Sequence, residues 1–317
     1  FINISDCSSV ELRAIIEEAK KRKQNRSGLN KSAPDKDKPF EGRSMAMIFE
    51  KPSTRTRFSF DVGIQQMGGK SIIVNGSDLH LGNSESIPDT AKVISRYVDL
   101  VMLRTFDQNN LHEFANNSSV PIINGLTDES HPCQVLTDIF TFEENRGSIF
   151  RKKVVWAGDG NNVCNSYVEA AGKFGFNLYF YGPIKNIPHR ELISTAKKSG
   201  SDIVITQNAK EAFDGADLIV TDTWVSMHDI SAKKKISALR PYQVDSKKMS
   251  YAKHDSIFLE VTVSDGIASD TATSSTLLIP NTLPSAPTVS LTPSNTNTYS
   301  GADLTCAVTG PSTDIDG

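Results

Sequence analysis

The stretch Ser44-Met45-Ala46-Met47-Ile48-Phe49-Glu50-Lys51-Pro52-Ser53-Thr54-Arg55-Thr56-Arg57 decides the fold class. Its first six residues form an apolar run of strand length, and the pattern that follows is helical through Met67. A helix that starts directly after a buried strand points free backbone N–H groups at its own first turn. Here three hydroxyls and two guanidiniums stand at that turn, the arrangement a phosphate requires. From spacing alone, a capped, solvent-facing helix start is the competing reading.

Further apolar strand segments recur outward from this unit, at residues 71–74, 100–103, 120–123, 154–156, 178–181, 202–205 and 217–221. Helical stretches separate most of them. Ser8-Ser9-Val10-Glu11 makes a capping box ahead of Leu12, Ile15, Ile16 and Ala19 on one helical face. Residues 25–42, rich in Lys, Asp, Pro and Gly, read as a mobile loop. The alternation predicts an α/β protein of two doubly wound parallel-sheet domains, with the junction in a helix over residues 131–145. No internal repeat is evident.

Composition changes abruptly near residue 260. The chain of 317 residues has a net charge of −3, yet residues 261–317 contain no Lys, Arg, His or Glu. All 34 basic residues therefore precede the change, against 32 of the 37 acidic ones. Ser and Thr fill 21 of the 57 tail positions, and short β-prone pieces lie at 261–263, 276–279, 288–291 and 304–308. The boundaries expected are 1–140, 141–260 and 261–317, the last a short all-β or disordered tail. A charge this close to zero argues against a nucleic-acid partner, and no apolar run approaches the roughly 20 residues of a membrane helix. No signal peptide is visible, which points to a cytoplasmic protein, and the first residue is Phe1, as in a sequence that begins inside a longer chain. Cys7, Cys133 and Cys164 have neither metal-ligand nor disulfide-framework spacing and read as reduced thiols.

Two more segments carry polar chemistry at strand ends. Arg104 follows the strand at 100–103, at the carboxyl edge where open α/β sheets place their sites. His131-Pro132-Cys133-Gln134 sets an imidazole and an amide three residues apart on one face of a helix start. Taken singly, a surface ion pair for Arg104 and a structural role for His131 compete with a ligand-binding role.

Together, the Ser53–Arg57 motif, the strand-end Arg104 and the His131–Gln134 motif resemble the aspartate/ornithine carbamoyltransferase family. The sequences Phe49-Glu50-Lys51-Pro52, Met67-Gly68-Gly69, Glu85-Ser86-Ile87 and Asp89-Thr90-Ala91 fit it too. The resemblance runs to Leu259. It implies that Ser53, Thr54, Arg55, Thr56, Arg57, Arg104, His131 and Gln134 bind carbamoyl phosphate, with Arg55, Arg104 and His131 catalytic. It also implies that His80 reaches the site of a neighbouring subunit in a homotrimer, and that no metal or organic cofactor takes part.

The acceptor is read from the second half. Residues 154–156 lead into Gly158-Asp159-Gly160-Asn161-Asn162, which lacks the G-x-G-x-x-G order of a nucleotide-binding turn. Thr221-Asp222-Thr223-Trp224-Val225-Ser226-Met227 closes the strand at 217–221, where a carboxylate suits the ammonium of a basic amino acid, or else a helix cap. Asn162, Asp222, Ser226 and Met227 are similar to the ornithine-binding positions of the family. His228 stands where the family usually has Gly. The reaction implied is transfer of a carbamoyl group to the δ-amine of L-ornithine, giving citrulline and phosphate.

The resemblance also defines what is missing. In the family, the strand at 256–259 continues as His-Cys-Leu-Pro, followed later by an Arg and a helix that packs back on the first domain. Here Leu259 is followed by Glu260-Val261-Thr262-Val263, and the tail resembles part of a bacterial immunoglobulin-like repeat. The expectation is a chimeric chain with little or no turnover. The alternatives are an inactive remnant that binds carbamoyl phosphate only, and an extracellular structural or adhesive protein defined by its tail.

Overall fold

In a computed structural model, residues 1–76, 79, 85–224 and 232–252 are described, together with backbone segments 256–257, 260–264, 269–273, 277–278, 289–293 and 304–308. His80, Ser226 and Met227 lie outside the described residues, as does most of the tail.

Four parallel strands, β1 (Ser44–Phe49), β2 (Lys70–Asn75), β3 (Leu100–Arg104) and β4 (Ile122–Leu126), form the first sheet in the order β2-β1-β3-β4. Side chains alternate across it, as the two-residue period of a strand dictates. Ala46, Ile48, Val101 and Leu103 pack against α3 (Ile87–Ile94) and α4 (Gln108–Asn117). Met45, Met47, Phe49 and Met102 face the other way, toward Ile64 of α2 (Thr54–Gln66). The second sheet repeats the plan with β5 (Lys153–Ala157), β6 (Asn177–Tyr181), β7 (Ile203–Thr206) and β8 (Leu218–Thr221), ordered β7-β6-β5-β8 and again all parallel. The expected α/β class with two parallel sheets is what the structure has.

α5 (Pro132–Arg146) connects the sheets, and α1 (Ser9–Asn25) lies along it. Leu12 and Ile16 of α1 are fully buried in the large cluster that contains Ile139, Phe142, Trp156, Tyr167 and Phe180. The first helix of the chain therefore packs with the second sheet. A polar clamp fixes this contact: the Glu143 carboxylate accepts from Arg13 at 2.5 Å, from Lys20 at 3.0 Å and from the Ile149 N–H at 3.1 Å. Its side chain is only 3% exposed, so the two cations and the amide replace the water it has lost.

Three local expectations change. The strand read at 120–123 is displaced to Ile122–Leu126, because Pro121 has no N–H to give the ladder, while Asn124 and Gly125 continue it. Gly125 leaves room there for the Met102 side chain, whose sulfur would lie 2.3 Å from an added Cβ. The loop read as mobile is pinned: the Asp35 carboxylate pairs with Arg22 at 3.0 Å and Arg26 at 2.5 Å, and the Asp35 N–H donates to the Gln66 carbonyl. Finally, the strand read at 256–259 is described at Ser256–Ile257, which pairs antiparallel with Leu277–Leu278 of the tail. The tail's other described strands form the antiparallel pairs Glu260–Ser264 with Ser269–Thr273, and Val289–Pro293 with Leu304–Val308.

Because α1 is bound into the core of the second sheet, Ile16→Ala should lower stability by about 2–5 kcal/mol. Urea unfolding followed by tryptophan fluorescence reads this directly, since Trp156 shares that core.

Candidate functional site

Each sheet has one place where its strand order reverses, and the candidate residues stand at both. In the first sheet β1 connects onward to β2 on one side while β3 lies on the other, so a crevice opens past the carboxyl ends of β1 and β3. Ser53 caps α2 there. Its Oγ accepts from the Thr56 N–H at 3.2 Å and donates to Thr56 Oγ1 at 2.9 Å. Arg104, the last residue of β3, donates from Nη1 to the same Thr56 Oγ1 at 3.2 Å.

This corner is positive and incompletely satisfied. Arg104 Nε and His131 Nδ1 are buried and have no hydrogen-bond partner among the described residues. Burial, then the neighbouring Arg55 guanidinium, lowers the Arg104 pKa, although a guanidinium stays charged at neutral pH. Burial, and after it the charge of Arg104, pushes His131 down to about 4, so its imidazole is neutral at physiological pH. Among the described residues, no carboxylate forms a salt bridge with Arg55 or Arg104. Two like charges held together beside orphaned donors make a concentrated demand for an anion.

The structure thus brings Ser53, Arg55, Thr56, Arg104 and His131 together. Thr54 is exposed at the first turn of α2. Arg57 is turned to β2, donating to Asn75 Oδ1 at 2.9 Å with its guanidinium 5.0 Å from the Phe49 ring centre. Gln134 donates to Asp138 one turn along α5 at 2.8 Å. Burial pushes the Cys133 thiol up to about 12, which keeps it protonated at neutral pH.

In the second sheet the reversal falls between β5 and β8, and the turn at Gly158–Asn162 meets Asp222 there. Gly160 allows a close approach, its N–H donating to the Asn186 carbonyl at 2.8 Å, where a Cβ would lie 2.3 Å from that oxygen. Gly160 thus serves backbone packing, whereas Gly158 supplies a φ of +135°. The exposed Asp222 carboxylate accepts from Asn161 Nδ2 and from the Thr223 N–H, both at 2.7 Å. Asn162 donates to the Thr127 carbonyl at 2.6 Å, which ties the second half to the loop that carries His131. Two further bonds join the same loop to α6 (Asn162–Phe174): Asn165 Nδ2 to the Glu129 carbonyl at 3.1 Å, and the His131 N–H to Ser166 Oγ at 2.9 Å.

Sequence reasoning missed Asn161, Asn75 and Ser166. Asn161 carries a usable signal, an Asn just before a helical run. The roles of Asn75 and Ser166 depend on contacts far apart in the chain, which no local pattern announces.

Residues 1–144 match the family described as aspartate/ornithine carbamoyltransferase, carbamoyl-P binding domain, and residues 151–262 match its Asp/Orn binding domain. The chain belongs to the aspartate/ornithine carbamoyltransferase family. It is 53% identical over 261 residues to the ornithine carbamoyltransferase of Ruegeria pomeroyi, a match covering 82% of this chain and 85% of the relative. Among solved structures it is similar to ornithine carbamoyltransferase from Pyrococcus furiosus, with a TM-score of 0.75, 38% identity and coverage of 80% and 82% of the two chains. The anabolic enzyme from Campylobacter jejuni superposes with a TM-score of 0.73 at 34% identity, covering 80% and 83%.

The buried His131 sets a pH dependence. Folding lowers its pKa, so the unfolded chain takes up a proton first. Its contribution to stability is complete above the ordinary value near 6.5 and is lost as pH falls toward about 4. NMR of the imidazole should show no titration of His131 above pH 5.5, whereas a normal midpoint would contradict its burial.

Proposed function

We propose that this chain binds carbamoyl phosphate at the Ser53–Arg104–His131 corner and is built to transfer its carbamoyl group to the δ-amine of L-ornithine. The observation that carries this reading is the pair of buried nitrogens, Arg104 Nε and His131 Nδ1, that have no hydrogen-bond partner among the described residues, beside the neighbouring Arg55 guanidinium. A dianionic phosphate satisfies that corner. The N-terminus of α2, with Ser53, Thr54 and Thr56, takes the phosphate oxygens, as helix N-termini do, and Arg57 joins them after exchanging its Asn75 partner. Arg55, Arg104 and the neutral His131 face the carbamoyl oxygen, where preorganised donors act on the charge that develops in the tetrahedral intermediate. Gln134 reaches the carbamoyl amide after exchanging its Asp138 partner, and His80 of an adjoining subunit completes the phosphate site.

Ornithine is held through its α-ammonium by Asp222, with Asn162, Ser226 and Met227 completing its subsite. The uncharged δ-nitrogen forms a bond to the carbamoyl carbon, the bond from that carbon to the phosphate oxygen breaks, and the proton shed by nitrogen leaves with phosphate. No residue becomes covalently attached. A homotrimer is part of the same proposal. It is supported by exposed apolar side chains on the edge strand β2, where Ile72 and Ile73 are 47% and 40% exposed, and on α2, where Phe58 is 64% exposed. A cytoplasmic location also belongs to it; among the described residues no helix is long and apolar enough to cross a membrane.

Turnover by the chain as it stands is proposed to be small. Glu260–Ser264 occupies the place where the resemblance calls for His-Cys-Leu-Pro and runs into a β-hairpin. We read residues 261–317 as foreign to the enzyme. Groups that act together at a transition state are not additive, so their joint loss costs orders of magnitude.

Calorimetric titration should show carbamoyl phosphate binding that Arg55→Ala weakens by about 2–5 kcal/mol. A chain given a family-type segment after Leu259 should form citrulline from ornithine and not use aspartate, and Asp222→Ala should abolish that activity. Unchanged affinity in Arg55→Ala would remove the phosphate assignment. Equal citrulline formation by the original and the restored chain would remove the claim about the missing segment.

A further inference from the structure

Lys51 lies two residues before the Ser53 cap, yet it bonds to neither the helix nor the strand beside it. Its ammonium pairs with the Asp128 carboxylate and sits 4.4 Å from the centre of the Phe106 ring. Asp128 lies three residues before His131, and its own N–H donates to the Phe106 carbonyl at 2.9 Å. Lys51 thus spans from the loop after β1, over the loop after β3, to the loop after β4. Its neighbour Glu50 grips β3 from the same loop: its N–H donates to the Arg104 carbonyl at 2.9 Å and its carboxylate accepts from Thr105 Oγ1.

We propose that Lys51 and Asp128 form a positioning clamp that holds the phosphate-binding turn at residues 53–57 in register with the loop carrying His131. The clamp rests on the anion-site reading above but acts through geometry rather than by touching the ligand. Lys51 is 18% exposed and Asp128 63% exposed, so the ion pair contributes little as charge attraction alone. What it supplies is direction. The Lys51 ammonium sits over the Phe106 ring, and among the described residues Asp128 is the carboxylate it pairs with. Arg104–Thr56 and Glu50–Arg104 tie the loop after β1 and the start of α2 to the end of β3, and the clamp carries the connection on to the loop that holds His131.

The charges give a test of opposite sign. If Lys51 acted simply as a positive charge near the phosphate, neutralising Asp128 would free that charge and tighten anion binding. The clamp requires the reverse: Asp128→Asn should raise the Kd for carbamoyl phosphate about fivefold, the effect of losing one modest ion pair. Lys51→Met should match it, the double variant should be no worse than either single one, and Lys51→Arg should retain affinity. Amide hydrogen exchange of the ligand-free full chain should quicken at residues 53–57 and 127–131 in Asp128→Asn and Lys51→Met, and not in Lys51→Arg. Tighter or unchanged binding in Asp128→Asn, or unaltered exchange at both segments, overturns the clamp. If the unaltered chain failed to bind carbamoyl phosphate while exchange quickened as stated, the clamp would stand and the ligand assignment would fall.

Discussion

Arg104 is the side chain on which the site depends. β3 delivers it half-buried to the crevice, with Nε unpartnered and the Arg55 guanidinium close by. A folded protein ordinarily pairs such groups or leaves them in water, because an unsatisfied buried donor costs about 1–3 kcal/mol and more when charged. Here the surroundings respond instead: Thr56 offers one acceptor, and His131 gives up its proton. The fold thus holds a destabilising arrangement that an anion relieves. Donors preorganised in this way need no rearrangement when charge develops on a bound substrate.

The rest of the architecture keeps that arrangement in place. Both sheets reverse their order at the strand that carries the site, so the two crevices open at strand ends rather than on sheet faces. α6 joins them through three hydrogen bonds to the loop at residues 127–131. Behind this, α1 and α5 are locked by Glu143 and by the apolar cluster of Leu12, Ile16, Ile139 and Phe142. The anion corner and Asp222 consequently belong to one connected framework, as two-substrate chemistry requires.

Much of this was legible in the sequence. The apolar runs around Ser44–Phe49 and residues 154–156 marked strands because burial on both faces leaves no room for polar alternation. Ser53 announced its helix by cap chemistry, and Arg104 announced its place by following an apolar run. What could not be read were contacts distant in the chain. Asp35 anchors a loop whose composition resembles a mobile one, through arginines 13 and 9 residues away. Arg57 and Gln134 share motifs with ligand-facing residues but bond to Asn75 and Asp138, because rotamers follow neighbours and not motifs. The displacement of β4 follows from Pro121, which cannot donate to the ladder, while Asn124 and Gly125 continue the strand.

The central claim is that Arg104 is kept at a cost to stability for the sake of an anion, and Arg104→Met measures both sides of it. Replacing a buried, incompletely paired charge with an apolar side chain of similar length should raise the urea midpoint of the ligand-free protein. In the same variant, calorimetric titration with carbamoyl phosphate should show binding abolished. A variant that is less stable than the original, or that binds carbamoyl phosphate with unchanged affinity, would contradict the account.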